Sequence, residues 1–417
     1  MIKPNHRHVD APDSALLVDG IDCLYTIDPA REGLGEIRDA SVLMSEDGTV
    51  TWIGQASDAP SANTVIDGRG SIGLPGLVDP HTHAIWAGSR SDEFAQRLAG
   101  ASYADILEEG GGILSTVAAT RSASESHLQR TLADRLRRMV SRGVTCVEVK
   151  SGYGLDTVTE HRMLSVASAN VNTEGPSQLV RTFLGAHAVP AEHRSNRDAY
   201  VRQVIEEQLP LCAPMAEFVD VYCDRGAFTL DESMAILTAG QRLGLRVRAH
   251  AEQVTHTGIA EAAANLGALA LDHLERVDDA GIAAMARAGT IAVMLPGAQL
   301  YLRDSAPPTE AFREAGVPMA IGTDLNPGSS PVHDLWTAAT LACLIQGFTI
   351  EEAIIGITRN AGRALGRPDC GILVPGGRAD LALFDPPPGE PTDVSSLIQH
   401  MGTPDARCVI ANGKRIR

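Results

Sequence analysis

Two histidines two residues apart, His81 and His83, follow the run Gly73-Leu74-Pro75-Gly76-Leu77-Val78-Asp79-Pro80. On an extended strand, residues i and i+2 face the same side, so both imidazoles can reach one metal ion. An unpaired polar side chain at the end of a buried strand is costly, which favours a ligand role for the pair. The same spacing in His6-Arg7-His8 lies in a polar terminal segment and lacks that context. His250 ends Leu245-Arg246-Val247-Arg248-Ala249, and Asp324 ends Met319-Ala320-Ile321-Gly322-Thr323. Taken singly, each reads better as a satisfied buried polar group. Together, three imidazoles and a carboxylate form a set suited to zinc or iron, with water at a remaining position.

The elements that would position these groups are repeated βα units. Eight apolar runs read as strands: Gly76–His83, Val144–Lys150, Leu179–His187, Glu217–Asp224, Leu245–His250, Ala268–Leu274, Thr290–Leu295 and Pro318–Asp324. Segments rich in Ala, Leu, Glu and Arg, such as Gln129–Ser141 and Asp231–Leu243, read as helices between them. The polar exceptions fall at the carboxyl ends of the strands: His81, His83, Lys150, His187, His250, His273 and Asp324. That is where a (β/α)8 barrel gathers its catalytic groups. A doubly wound open sheet is disfavoured, because no G-x-G-x-x-G turn follows the first strand.

Short apolar runs outside this region, Ala15–Val18, Ser41–Met44 and Val50–Ile53 near one end and Ala379–Phe384 and Arg407–Gly413 near the other, have antiparallel β character. The expected fold is thus α/β, a TIM barrel over residues 74–366, with a small composite β-sandwich domain formed by residues 1–73 and 367–417.

The formal net charge of -17 comes from acidic residues scattered along the 417-residue chain. It repels nucleic acid and anionic membrane surfaces, so no nucleic-acid or membrane partner is expected, and an anionic substrate would need a local cation. Seven cysteines without a CxxC pair suggest a reducing compartment, and no apolar run is long enough for a membrane span. A cytoplasmic location is expected.

The segment Leu74–His83, with His250, His273 and Asp324, resembles the amidohydrolase superfamily. Gly88-Ser89-Arg90, Glu148–Gly154, Phe183–His187 and Gly322–Ser329 resemble, more narrowly, the imidazolonepropionase family, over the whole barrel and the flanking β-segments. The resemblance implies hydrolytic opening of the small anionic substrate 4-imidazolone-5-propanoate at a ring C–N bond, giving N-formimidoyl-L-glutamate in histidine degradation. His81, His83, His250 and Asp324 would hold the metal. Asp324 would move the water proton to the leaving nitrogen, and His273 would stabilise the developing oxyanion. Arg90, Tyr153 and His187 would contact the imidazolone and its carboxylate, Gln253 would reach the ring, and Asn326, Gly328 and Ser329 match the remaining substrate loop. Gln253 cannot act as a general base, and Glu252 beside it points to the opposite side of the chain. Binuclear relatives carry a bridging carboxylated lysine on the fourth strand. Here Lys150 ends the second and the fourth has no lysine, so one zinc or iron ion per chain is expected and Lys150 reads as an ion-pair partner. A homodimer is suggested by the resemblance alone.

Other features read as ordinary. Gly110-Gly111-Gly112 lacks the lysine of a nucleotide-binding loop. Cys223 reads as a buried thiol, and His127, His161, His193, His256, His333 and His400 fall in helices or loops. Two rivals remain: a deaminase or other cyclic amidohydrolase, which would not need the carboxylate clamp of Arg90, and a non-catalytic scaffold, which would not need the full hydrolytic set.

Overall fold

Pairing partners, more than strand propensity, decide the architecture. The computed structural model describes residues 15–100, 111–169, 175–402 and 405–417, so His6, His8 and Gly110 lie outside the described residues. Five strands come first: β1 (Leu16–Tyr25), β2 (Glu36–Met44), β3 (Val50–Gln55), β4 (Thr64–Asp67) and β5 (Ile72–Pro75). The barrel follows with β6 (Leu77–Asp79), β7 (Val144–Lys150), β8 (Gln178–Ala186), β9 (Phe218–Cys223), β10 (Arg246–Ala251), β11 (Ala270–His273), β12 (Ile291–Met294) and β13 (Met319–Ile321). The chain ends in β14 (Leu381–Phe384), β15 (Cys408–Ala411) and β16 (Lys414–Arg415).

The two ends of the chain meet in one curled mixed sheet, ordered β16-β15-β14-β5-β1-β2-β3, with β4 beside β1. It wraps a core that includes Val18, Ile21, Leu24, Val42, Leu381, Leu383 and Ile410. The all-antiparallel pairing expected from the sequence is corrected here, since β1 runs parallel to both β4 and β5. The β1–β2 register shifts between Val18 and Ile21, around Gly20 at φ +70°. That break lets one ten-residue strand take β4 along its first part and β5 along its second.

Strands β6 to β13 form the eight-stranded parallel sheet in sequential order. Helices such as Glu125–Ser141 and Leu230–Arg242 cover it, the second starting in a capping box of Thr229 and Glu232. The first and eighth strands are shorter than the sequence suggests. Pro80 removes a ladder donor after β6, and Asp324 turns into the left-handed region at φ +50°. Beyond the strand ends, an isolated parallel bridge joins Thr82 to Leu325 and closes the ring. His83 N donates to Leu325 O at 3.0 Å, and Asp324 N donates to His81 O at 3.0 Å. Among the described residues, no helix is long and apolar enough to cross a membrane.

Side chains of alternate residues fill the barrel in layers. Cys146, Val180, Phe218, Ala270 and Val293 pack at the amino-terminal end against Ala361, Ala364 and Leu365. The next layer is ionic and fully buried: Glu148, Asp220, Arg248 and Asp272, with Lys150 reaching into it. Arg248 pairs with Asp272 at 2.7 Å and Glu148 at 2.9 Å, and Lys150 Nζ donates to Asp220 at 2.7 Å and Glu148 at 3.0 Å.

Candidate metal centre and cleft

The ionic layer supports the groups directly above it. His250 Nδ1 lies 3.1 Å from Asp220 Oδ1, and His81 Nδ1 lies 3.2 Å from Asp272 Oδ2. Asp220 at hydrogen-bond distance fixes the tautomer of His250 and leaves its Nε2 lone pair free, whereas Asp272 stands beside His81 Nδ1 without hydrogen-bond geometry. The Nε2 atoms of His83 and His250 face each other at 3.2 Å. Asp324 Oδ1 is 3.4 Å from His81 Nε2 and 3.5 Å from His83 Nε2. His81, His83, His250 and Asp324 therefore converge from the ends of β6, β10 and β13.

All four are buried, and neither nitrogen of His81 has a hydrogen-bond partner of good geometry. Buried imidazole nitrogens facing one another without a proton between them are costly unless a cation lies among them. Burial, reinforced by neighbouring positive groups, holds His81 and His83 well below the ordinary histidine range and lowers His250 despite Asp220. The three imidazoles are thus neutral and ready to ligate, and the donor set fits one divalent ion.

Asp324 behaves oppositely. Burial pushes its carboxyl up to about 7, with only partial relief from His273 and Asn326. Below that pH a proton competes with the metal, because a ligand must be deprotonated. The apo protein's affinity for zinc should therefore fall about tenfold per unit between roughly pH 7 and 5. A competition titration with a chromophoric chelator measures this, and Asp324→Asn should remove the part of the slope due to this carboxyl.

His273 sits over the same centre, its ring 5.5 Å from that of His250 and 5.9 Å from that of His81. Burial opposes its charge, but Glu275, at 3.8 Å and so an ion-pair rather than hydrogen-bond distance, outweighs it with help from Asp324 and Asp272, and the pKa rises. The backbone is strained at this rim: His273 (φ +75°), Leu274 (φ +72°), Glu252 (φ +55°) and Asp324 all occupy the left-handed region without being glycine.

The centre forms the floor of a cleft of about 710 Å³. The cleft walls hold every substrate-contact residue expected from the sequence: Arg90, Tyr153, His187, Gln253, Asn326, Gly328 and Ser329. The His187 ring stacks on His83 at 4.8 Å, and its Nδ1 lies 3.0 Å from Gly152 O. Burial beside His250 lowers His187 to about 3, so it is neutral. Arg90 is steadied by Glu93 at 2.7 Å, and its guanidinium packs where a side chain at position 328 would intrude. Asn326 is spent within its loop, donating to Asp324 O and accepting from Gly328 N and Ser329 N.

Glu252 does not line the cleft and accepts from Gly258 N at 2.7 Å. Lys150 lies below the mouth, wholly enclosed by its carboxylates. Cys223 is buried, which raises its thiol pKa. Sequence reasoning missed Tyr222, whose hydroxyl donates to Gln253 Oε1 at 3.0 Å, and the cleft arginines Arg194 and Arg225. The alternation of β9 points Tyr222 the same way as Asp220 and could have revealed it, but the two arginines sit in loops without a pattern.

A family model described as the amidohydrolase family matches residues 97–417. The chain is 46% identical over 358 residues to the imidazolonepropionase of Idiomarina loihiensis, covering 85% of this chain and 87% of that one. It is 41% identical over 402 residues to the imidazolonepropionase of Shewanella putrefaciens, covering 94% and 97%. Among solved structures it is similar to an adenosine deaminase from Xanthomonas campestris with bound zinc, at TM-score 0.70 and 17% identity, covering 96% of this chain and 92% of that one. At that identity the likeness concerns the fold.

Proposed function

Because the chain belongs to the imidazolonepropionase family of the amidohydrolases, we propose that the cleft opens the ring of 4-imidazolone-5-propanoate to N-formimidoyl-L-glutamate, a step of histidine degradation. The observation that carries this reading is the meeting of His81, His83, His250 and Asp324 on the floor of a cleft whose wall bears Arg90.

His81, His83, His250 and Asp324 would hold one zinc or iron ion. When bound, the ion supplies Lewis acidity towards water and the ring carbonyl. Arg90 receives the propanoate with its free guanidinium edge. Tyr153, His187 and Gln253 hold the imidazolone between them, and the loop of Asn326, Gly328 and Ser329 keeps Arg90 and Asp324 in register. Asp324 takes the proton of the attacking water and gives it to the ring nitrogen as the C–N bond breaks, and the carbonyl carbon, now carrying the water oxygen, becomes a carboxyl group that loses its remaining proton to solvent. His273, whose pKa Glu275 raises against the effect of burial, donates to the carbonyl oxygen as negative charge builds there.

Arg90→Ala should raise KM strongly and leave the metal content unchanged, since Arg90 touches no ligand of the centre. Steady-state kinetics beside metal analysis checks this, and an unchanged KM removes Arg90 from the carboxylate site. All seven cysteines are free thiols, which supports a reducing, cytoplasmic location. A homodimer, expected from the resemblance, is checked by sedimentation.

The decisive experiment is to purify the protein, quantify metal per chain, and follow loss of 4-imidazolone-5-propanoate absorbance against dihydropyrimidine and guanine controls. Turnover of a control in place of the imidazolone would replace this reading with that of another cyclic amidohydrolase or a deaminase.

A further inference from the structure

A second cavity, of about 460 Å³, lies on the other side of Arg90. Helices Ser91–Leu98, Glu125–Ser141 and Pro296–Leu302 and the segment 327–333 contribute to its walls. Arg90, Arg97 and Gly328 line both this cavity and the cleft.

Its charge runs against that of the whole molecule. Arg90, Arg97, Arg135 and Arg138 line it, with His333, against one carboxylate, that of Asp134. Asp134 is engaged by Arg137 at 2.5 Å. The lining thus carries four arginines against one carboxylate, with Arg90 already met by Glu93, in a chain whose net charge is -17. Like charges brought together cost free energy unless an anion joins them.

The cations are also positioned. Arg135 lies over the Trp86 ring, its guanidinium carbon 3.2 Å from the ring centre, with Nη1 donating to Ala84 O and Trp86 O. Arg97 lies over the Tyr301 ring at 5.4 Å. Stacked guanidiniums keep their in-plane donors aimed, a geometry that suits oxyanions. His333 feels the result: burial, and then the charges of Arg138 and Arg135, lower its pKa.

We propose that this pocket binds a small dianion, a dicarboxylate or phosphate, and that the bound anion weakens substrate binding by drawing on Arg90 from outside the cleft. Arg90 Nε is already committed to Glu93, so the two sites would share the remaining donors of one guanidinium. The binding claim stands on the pocket alone, whereas the effect on KM rests on the substrate role proposed for Arg90.

The test uses metal-loaded protein titrated calorimetrically with inorganic phosphate and, separately, with glutarate. Arg138 lines only the second cavity and is exposed, so Arg138→Gln should fold normally and keep the basal kcat and KM. It should bind the anion about tenfold more weakly, the loss expected of one charge-assisted contact, with partial recovery in Arg138→Lys. Binding by phosphate but not glutarate assigns the site to phosphate, and the reverse assigns it to a dicarboxylate. Equal binding in wild type and Arg138→Gln, or none in the wild type, overturns the site. If the anion binds and Arg138 matters, but a saturating dose leaves the wild-type KM unchanged, the coupling through Arg90 is overturned.

Discussion

Asp324→Asn is expected to lower kcat by about a thousandfold, within the range of roughly 10²–10⁴ that a positioned general acid–base group contributes. Asparagine keeps the shape of aspartate but cannot accept a proton from water. The backbone should tolerate it, because Asp324 is held by its own N–H on His81 O and by Asn326 on its carbonyl, neither of which involves the carboxylate. Loss of a ligand also weakens metal binding, so the variant is to be assayed at saturating metal with its content measured. A metal-loaded variant turning over within about tenfold of the wild type would remove Asp324 from proton transfer.

Lys150→Met should destabilise the fold by about 3–5 kcal/mol, the usual result of removing one partner from a buried ion network. Lys150 lies within 3.0 Å of Glu148 and Asp220 and 3.8 Å of Asp272, all fully buried. Without it, Arg248 still pairs with Glu148 and Asp272, but Asp220 keeps only the imidazole of His250. Burial already pushes Glu148 up, while Asp220 stays low because His250 and Lys150 outweigh its desolvation. Chemical denaturation measures the loss. The double variant Lys150→Met/Asp220→Asn should recover part of it, because the second change removes a stranded charge, and such neighbours do not add. Full additivity of the two losses would mean that the pair does not interact.

The order of the barrel strands and the five groups at their carboxyl ends were legible in the sequence because each group interrupts an apolar run. His81, His83, His250, His273 and Asp324 stand out for that reason, and position alone tied them together. The ionic layer was not legible. Glu148, Asp220, Arg248 and Asp272 sit at inward positions of buried strands, where an isolated charge reads as an interruption, and their meaning lies in partners 24 to 100 residues away along the chain. The parallel contacts of β1 were hidden for a similar reason: pairing direction depends on the crossover, which leaves no local pattern. Asn326 lines the cleft, yet its amide is consumed by its own loop, so its contribution there lies in holding Gly328 and Ser329.

The seam between β6 and β13 has a consequence for the empty protein. Each of these strands is only three residues long, and beyond them the ring is joined by the Thr82–Leu325 bridge, with His81 and His83 on one side and Asp324 on the other. An ion gripped from both banks acts as a rivet. Its removal forfeits the free energy of ligation at the thinnest joint of the wall, so breathing of the barrel should begin there. Hydrogen exchange after chelation would then quicken first at the amides of His83 and Asp324, while those within β8 and β9 stay slow.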